Sequence, residues 1–175
     1  MSRKTLRAAV VAALFALPAL AHAAAVDYFL KIDGVEGESM DDRHKSEIDI
    51  ESWSWGASST TSPGGNRAGR ACVSAFNFSK PVDKASPLLM ANAVSGMAFK
   101  SAVLTARKAG KGQQEYFKVT LENVLVSSYQ SGGSNAALPV DQFSLNFARM
   151  TIEYRPEKPD GSLGPAVTTT FPGGC

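Results

Sequence analysis

From Val26 to Ile32 the chain alternates, with Val26, Tyr28, Leu30 and Ile32 on one side and Asp27, Lys31 and Asp33 on the other. Side chains along a strand point to opposite faces in turn, so a period of two predicts a half-buried strand. The same signal marks 46–56, 70–80, 98–108, 115–128 and 141–155, and more weakly 165–171. Gly110 and Gly112 in "RKAGKGQQEYF" supply a hairpin turn. Many strands with turn signals between them predict a mainly β fold, a barrel or a sandwich.

Three of these strands change phase partway. Ile48 and Ile50 hand the apolar load to Trp53 and Trp55, which lie on the opposite side from Ser52 and Ser54. Phe117, Val119 and Leu121 give way to Val124 and Val126, and Phe143, Leu145 and Phe147 give way to Met150, Ile152 and Tyr154. A shift of one residue predicts a bulge or a sharply coiled strand, the device that bends a sheet into a barrel. Burial of both faces, one by the core and one by a neighbouring subunit, fits the pattern as well. On either reading Trp53 and Trp55 fill a core or a seam, and Ser52 and Ser54 face something wet.

One helix is announced, in "DKASPLLMANAVSGM", with Ser86 as N-cap, Pro87 at the first helical position and Gly96 as the left-handed stop. Leu89 and Ala93, joined by Met90, Val94 and Met97, form the expected core stripe. The end of the chain, "RPEKPDGSLGPAVTTTFPGGC", is rich in Pro and Gly and predicts loops and a loose tail.

The first residues change the reading of charge. Arg3, Lys4 and Arg7 precede an apolar run from Ala8 to Leu17, then Pro18 and the triplet Ala21-His22-Ala23. This is the layout of a secretory signal over residues 1–23, cleaved between Ala23 and Ala24, with cleavage after Ala25 as the alternative, and too short to span a bilayer. Those residues hold three of the 18 Lys and Arg and none of the 16 Asp and Glu, so the formal charge of 24–175 is −1 in place of +2. A near-neutral remainder without a basic stripe gives no case for nucleic acid or an anionic membrane.

Candidate chemistry is sparse. Beyond residue 23 the chain keeps His44, in the charged stretch "MDDRHKSE", and Cys72 and Cys175. No CxxC, HExxH or GxSxG occurs, so neither a metal, a cofactor nor a nucleophilic triad is expected, and His44 reads as a surface residue. The spacing Gly64 to Gly69 mimics a phosphate loop but lacks its Lys and Ser/Thr, which leaves "SPGGNRAG" as a glycine turn. Cys72 reads as buried beside Phe76 and Phe78, and Cys175, on a loose tail, as an exposed reactive thiol able to link chains or rings rather than an internal partner for Cys72.

In order and spacing, "DYFLKIDGVEGES", "EIDIESWSWG", "KPVDKASPLLMANAVSG", "EYFKVTLENVLVSSYQSGGS" and "DQFSLNFARMTIEYRPEKPDGSLG" resemble the Hcp family of bacterial type VI secretion systems, over about Val26 to Gly164. The resemblance implies a β-barrel of two packed antiparallel sheets with one flanking helix. It further implies six-subunit rings stacked into a hollow tube, small effector proteins held in the lumen, and no enzymatic activity. By position it places Ser54, and less directly Ser52, at the lumen with cargo. It makes residues 61–70, with Pro63, Gly64, Gly65, Asn66, Arg67 and Gly69, a loop that reaches the adjacent ring. The residues by themselves fit an ordinary exposed serine at Ser54 equally well. Members of this family normally lack a signal segment. Its presence here leaves three readings: an exported ring-forming relative, periplasmic or released; a tube subunit assembled in the cytoplasm; and a monomeric extracytoplasmic binding module.

Overall fold

The computed structural model describes residues 26–61, 68–108, 112–135 and 137–174. Strand β1 (Val26–Ile32) pairs antiparallel with β2 (Ile48–Ile50) on one side and with β7 (Phe99–Lys108) on the other. The sheet continues through β8 (Glu115–Ser134), β9 (Ala137–Tyr154) and β6 (Phe76–Pro81) to β3 (Ser52–Ser54), and β10 (Val167–Pro172) lies along the far half of β9. Strands β2 and β3 are successive halves of one extended segment, the first paired to β1 and the second to β6, so residues 48–54 close the sheet into a nearly complete barrel. Glu51 sits at the change of partner, its amide donating to Ser79 O at 2.9 Å. The two packed sheets of the sequence reading are the two walls of this single rolled sheet. A separate hairpin of β4 (Ala57–Thr61) and β5 (Ala68–Val73) stands beside it.

Each phase change coincides with a bend. Val119 and Leu121 are buried, then Val124 and Val126, and between them Asn123 takes φ +51°. Opposite, Phe143, Leu145 and Phe147 hand over to Met150 around Arg149, which pairs with Glu122. Two neighbouring strands therefore coil at the same level and carry their apolar sides around one core. That core holds Leu30, Ile48, Phe76, Leu104, Val119, Phe143, Leu145 and Met150, each fully or nearly fully buried.

The alternation over 70–80 is two strands, split at Ser74 and Ala75: β5 belongs to the hairpin and β6 to the barrel. The end of the chain is also more ordered than its Pro and Gly content suggests. Strand β10 zips onto Arg149–Tyr154, and Gly174 bridges to Val73. Cys72 is disulfide-bonded, which overturns its reading as a free thiol. The expectation rested on a frayed tail, and the tail is held by backbone pairing up to Gly174; Cys175 itself lies outside the described residues.

Helix α1 (Ser86–Ser95) ends as expected, with Gly96 at φ +66° and its amide bonded to Asn92 O. Its beginning differs. The cap position is Ala85, and Ser86 puts its hydroxyl into a buried polar cluster instead. Lys80, with no exposed surface, reaches Ser86 Oγ at 2.9 Å, Asp83 Oδ1 at 2.6 Å and Asp141 Oδ2 at 3.1 Å, and the Ser86 hydroxyl donates to Asp141. Burial pushes the Asp141 carboxyl up, but hydrogen bonds from Ser86, Ser131, Lys80 and Tyr129 outweigh it and hold the group below its ordinary range. Polar bonds thus join the buried Ala85 and Leu89 in pinning the helix start, and tie it to β6 and β9. Leu89 is buried and Ala93 packs on the core, whereas Met90, Val94 and Met97 are exposed, contrary to the stripe read from sequence.

His44 is also misplaced by the sequence. It is 5% exposed and stacks on Phe29, ring centroids 4.2 Å apart, with Nδ1 2.9 Å from Glu47. The Arg107 guanidinium lies over the same Phe29 ring at 4.9 Å and binds Asp41 at 2.6 Å and Asp27 at 3.0 Å. The loop reads as polar because it folds inward onto charges carried by β1 and β7. Hydrogen bonding from Arg107, with help from the Arg43 and His44 amides and against the opposing effect of burial, holds the Asp41 carboxyl down at about 2. A folded value below the unfolded one contributes stability above roughly pH 4 that is lost as pH falls toward 2. Urea unfolding of the wild type between pH 5 and pH 2 should therefore lose on the order of 1–2 kcal/mol more than Asp41→Asn does over the same range. Parallel losses in the two proteins would remove Asp41 from the account.

Candidate functional site

The outer side of the closing wall is built from small uncharged polar groups. In β3 the side chains of Ser52 and Ser54 point outward because Trp53 points inward, where it meets Phe76 at 5.6 Å, Phe117 at 5.7 Å and Tyr28 edge-on at 5.9 Å. Trp55, half-buried, follows onto Phe76. The register then carries the outward face across four strands. Ser54 pairs with Asn77, Asn77 with Ser144, and Ser144 with Ser128. One pleat along, Ser52 pairs with Ser79, Ser79 with Gln142, and Gln142 with Gln130. Two rows of four neutral hydroxyl and amide side chains result, covering roughly 15 by 7 Å from ordinary strand and residue spacings. All eight line one shallow concavity.

The rows are tied together laterally. Ser128 Oγ donates to Ser144 Oγ at 2.8 Å, and Ser144 Oγ donates to Asn77 Oδ1 at 2.7 Å. Phe76, Phe78, Phe143 and Leu145 alternate with the grid along β6 and β9 and are buried beneath it, with Phe78 stacked 5.2 Å from Phe143. The face is therefore a polar skin on a rigid aromatic floor. Lys80 and Asp141, next in sequence to Ser79 and Gln142, are turned to the inside and neutralise each other there, while Glu51, next to Ser52, is exposed at the edge of the grid. Such a wall can hydrogen-bond a passing surface in either sense, as donor or acceptor, without an ionic contact.

Of the residues picked out from sequence, Ser52 and Ser54 stand in this grid and Trp53 and Trp55 stand behind it. Pro63, Gly64, Gly65, Asn66 and Arg67 lie outside the described residues, as do Ala23 and Ala24, while Gly69 belongs to the backbone of β5. Asn77, Ser79, Ser128, Gln130, Gln142 and Ser144 went unnoticed. Their signal was the neutral polar half of the alternations in "FNFSK", "SSYQ" and "QFSLN", but only strand pairing shows that they share a face.

Comparison with known proteins gives this wall its context. Residues 29–154 match the family model described as "Type VI secretion system effector, Hcp". Protein hcp1 of Pseudomonas aeruginosa is 45% identical over 143 residues, 79% of this chain and 88% of that protein. The chain belongs to the Hcp family. Solved Hcp structures agree with the barrel: Hcp1 from Salmonella typhimurium superposes with a TM-score of 0.70 at 33% identity, covering 85% of this chain and 94% of that one. A second structure, described as that of a type six secretion system protein, reaches 0.80 at 30% identity, covering 85% of this chain and 96% of the other. The expected role follows with the Hcp family: a ring-forming structural protein of the type VI secretion tube.

Proposed function

We propose that six copies of this chain close into a ring whose inner wall is the neutral grid of β3, β6, β9 and β8, and that effector proteins rest against Ser54 and Ser52 inside it. The observation that carries this reading is the grid itself: eight uncharged polar residues in register on a stiff floor, in a chain of the Hcp family. Rings stack through the hairpin β4–β5 and the segment 61–70 that it carries, and the role is structural rather than enzymatic. The signal-like residues 1–23 direct export, with cleavage between Ala23 and Ala24, so this tube protein works as a periplasmic or secreted ring. The same segment favours a second reading, a monomeric extracytoplasmic binding module with the grid as its ligand face.

Light scattering on the chain from residue 24 separates the two, a hexamer mass supporting the ring and a monomer at high micromolar concentration supporting the module. A gold cluster on Ser54→Cys should then appear at the central hole of negatively stained rings. Label at the outer rim would refute the lumenal assignment even if the hexamer stands.

A further inference from the structure

The last residues of the chain are threaded through the fold in a way the barrel does not require. After β10 pairs with Arg149–Tyr154, the Gly173 amide donates to Ala148 O at 2.8 Å. The Gly173 α-carbon is pressed so closely on Phe147 that an added Cβ would sit 1.8 Å from the Phe147 carbonyl oxygen. Gly174, at φ +87°, then bridges antiparallel to Val73 at the end of the hairpin. Val73 follows Cys72 in β5, and Gly174 precedes Cys175 in the sequence. Cys72 is disulfide-bonded, and the chain has one other cysteine, Cys175.

We infer that Cys72 and Cys175 form a redox-operated latch that fastens the end of the chain to the hairpin β4–β5 and so fixes how the hairpin is presented. A lone two-stranded ribbon is marginal in water, so this hairpin depends on what holds it to the barrel. The Gly56 and Ser74 bonds join its own two arms at the base, and its described attachments to the rest of the fold are the buried Val73 and the Gly174 bridge beside the latch. Closing the latch removes two protons and two electrons from the two thiols. A small-molecule disulfide such as oxidised glutathione takes them up through a mixed disulfide and leaves as two thiols. An oxidising compartment sets the hairpin, and a reducing one releases it together with β10. The further consequence, that stacking follows the redox state, rests on the stacking role proposed above.

The test uses the chain from residue 24, purified without reductant. Peptide mapping should recover a peptide linking Cys72 to Cys175 in a monomer-mass band. On reduction, amides of residues 57–61, 68–73 and 167–172 should exchange at least tenfold faster while those of β1, β7 and β8 keep their rates. Cys175→Ser should show the fast rates without reductant, and Gly173→Val should loosen β10 and the hairpin with both cysteines present. Unchanged exchange on reduction, or a link between Cys72 and a second chain, would overturn the latch. If exchange responds but sedimentation shows stacks of equal length in both redox states, the latch stands and the stacking role of the hairpin falls.

Discussion

Lys80→Met is expected to cost the fold about 3–5 kcal/mol, the loss seen when one partner of a buried ion pair is removed and the other is left uncompensated. The size follows from the arrangement. Lys80 is the cation for both Asp83 and Asp141, itself fully buried, and it also donates to Ser86 and Pro81 O. Asp141→Asn should cost less, because Lys80 keeps Asp83. An exposed pair such as Lys84 with Glu36 is worth at most about 1 kcal/mol, so Lys84→Met serves as the control. The pH dependence gives the sign. Without Lys80 the buried Asp141 carboxyl loses one of the hydrogen bonds that hold it down against burial, so the deficit relative to the wild type is full at neutral pH and shrinks as pH falls through the titration of that carboxyl. Denaturant melts of the three variants at pH 7 and pH 4.5 check both order and sign. A Lys80→Met deficit no larger than that of Lys84→Met would remove the cluster as the anchor of α1.

Trp53→Ala is expected to cost about 3 kcal/mol or more, as truncation of a large side chain packed on a core does. Three rings touch Trp53, those of Tyr28, Phe76 and Phe117, whereas Trp55 stacks on Phe76, so Trp55→Ala should cost less. Ser54→Ala, on the other side of the same strand, should stay within about 0.5 kcal/mol, as exposed substitutions do. Equal losses from all three would abolish the distinction between a polar outer side and an aromatic inner one, and with it the case for the grid. Because Trp53 holds the segment that closes the barrel, its truncation should also lower the fraction of chain found in rings.

Legibility followed range. The strands could be read because alternation is local, and the bends at Asn123 and Arg149 showed as a shift from Leu121 to Val124 and from Phe147 to Met150. The helix boundaries could be read from Pro87 and Gly96. Which side of α1 turns inward could not, since Met90 and Val94 suit a core as well as a surface and the anchoring comes from Lys80 and Asp141 far along the chain. His44 was misread for the same reason: its neighbours in sequence are charged, and the Phe29 ring that it stacks on belongs to β1. Two members of the grid, Ser52 and Ser54, were marked by the tryptophan between them. The other six needed the pairings of β6 with β9 and of β9 with β8 before their neutrality meant anything.

Residues 48–54 change partners at Glu51, and this has a consequence for how the chain folds. The β1–β2 half joins strands close in sequence and can form early, but β3 needs β6, and β6 needs β9, as when Phe76 finds Leu145. Loop closure over such distances comes late and slows folding. Until then an open, aromatic-lined cleft with unpaired edges on both sides faces solvent, so nascent chains compete for one another's β6 and β9 edges in proportion to their concentration. A protein that accumulates to many copies per assembly must therefore complete its closure strand faster than it meets its neighbours.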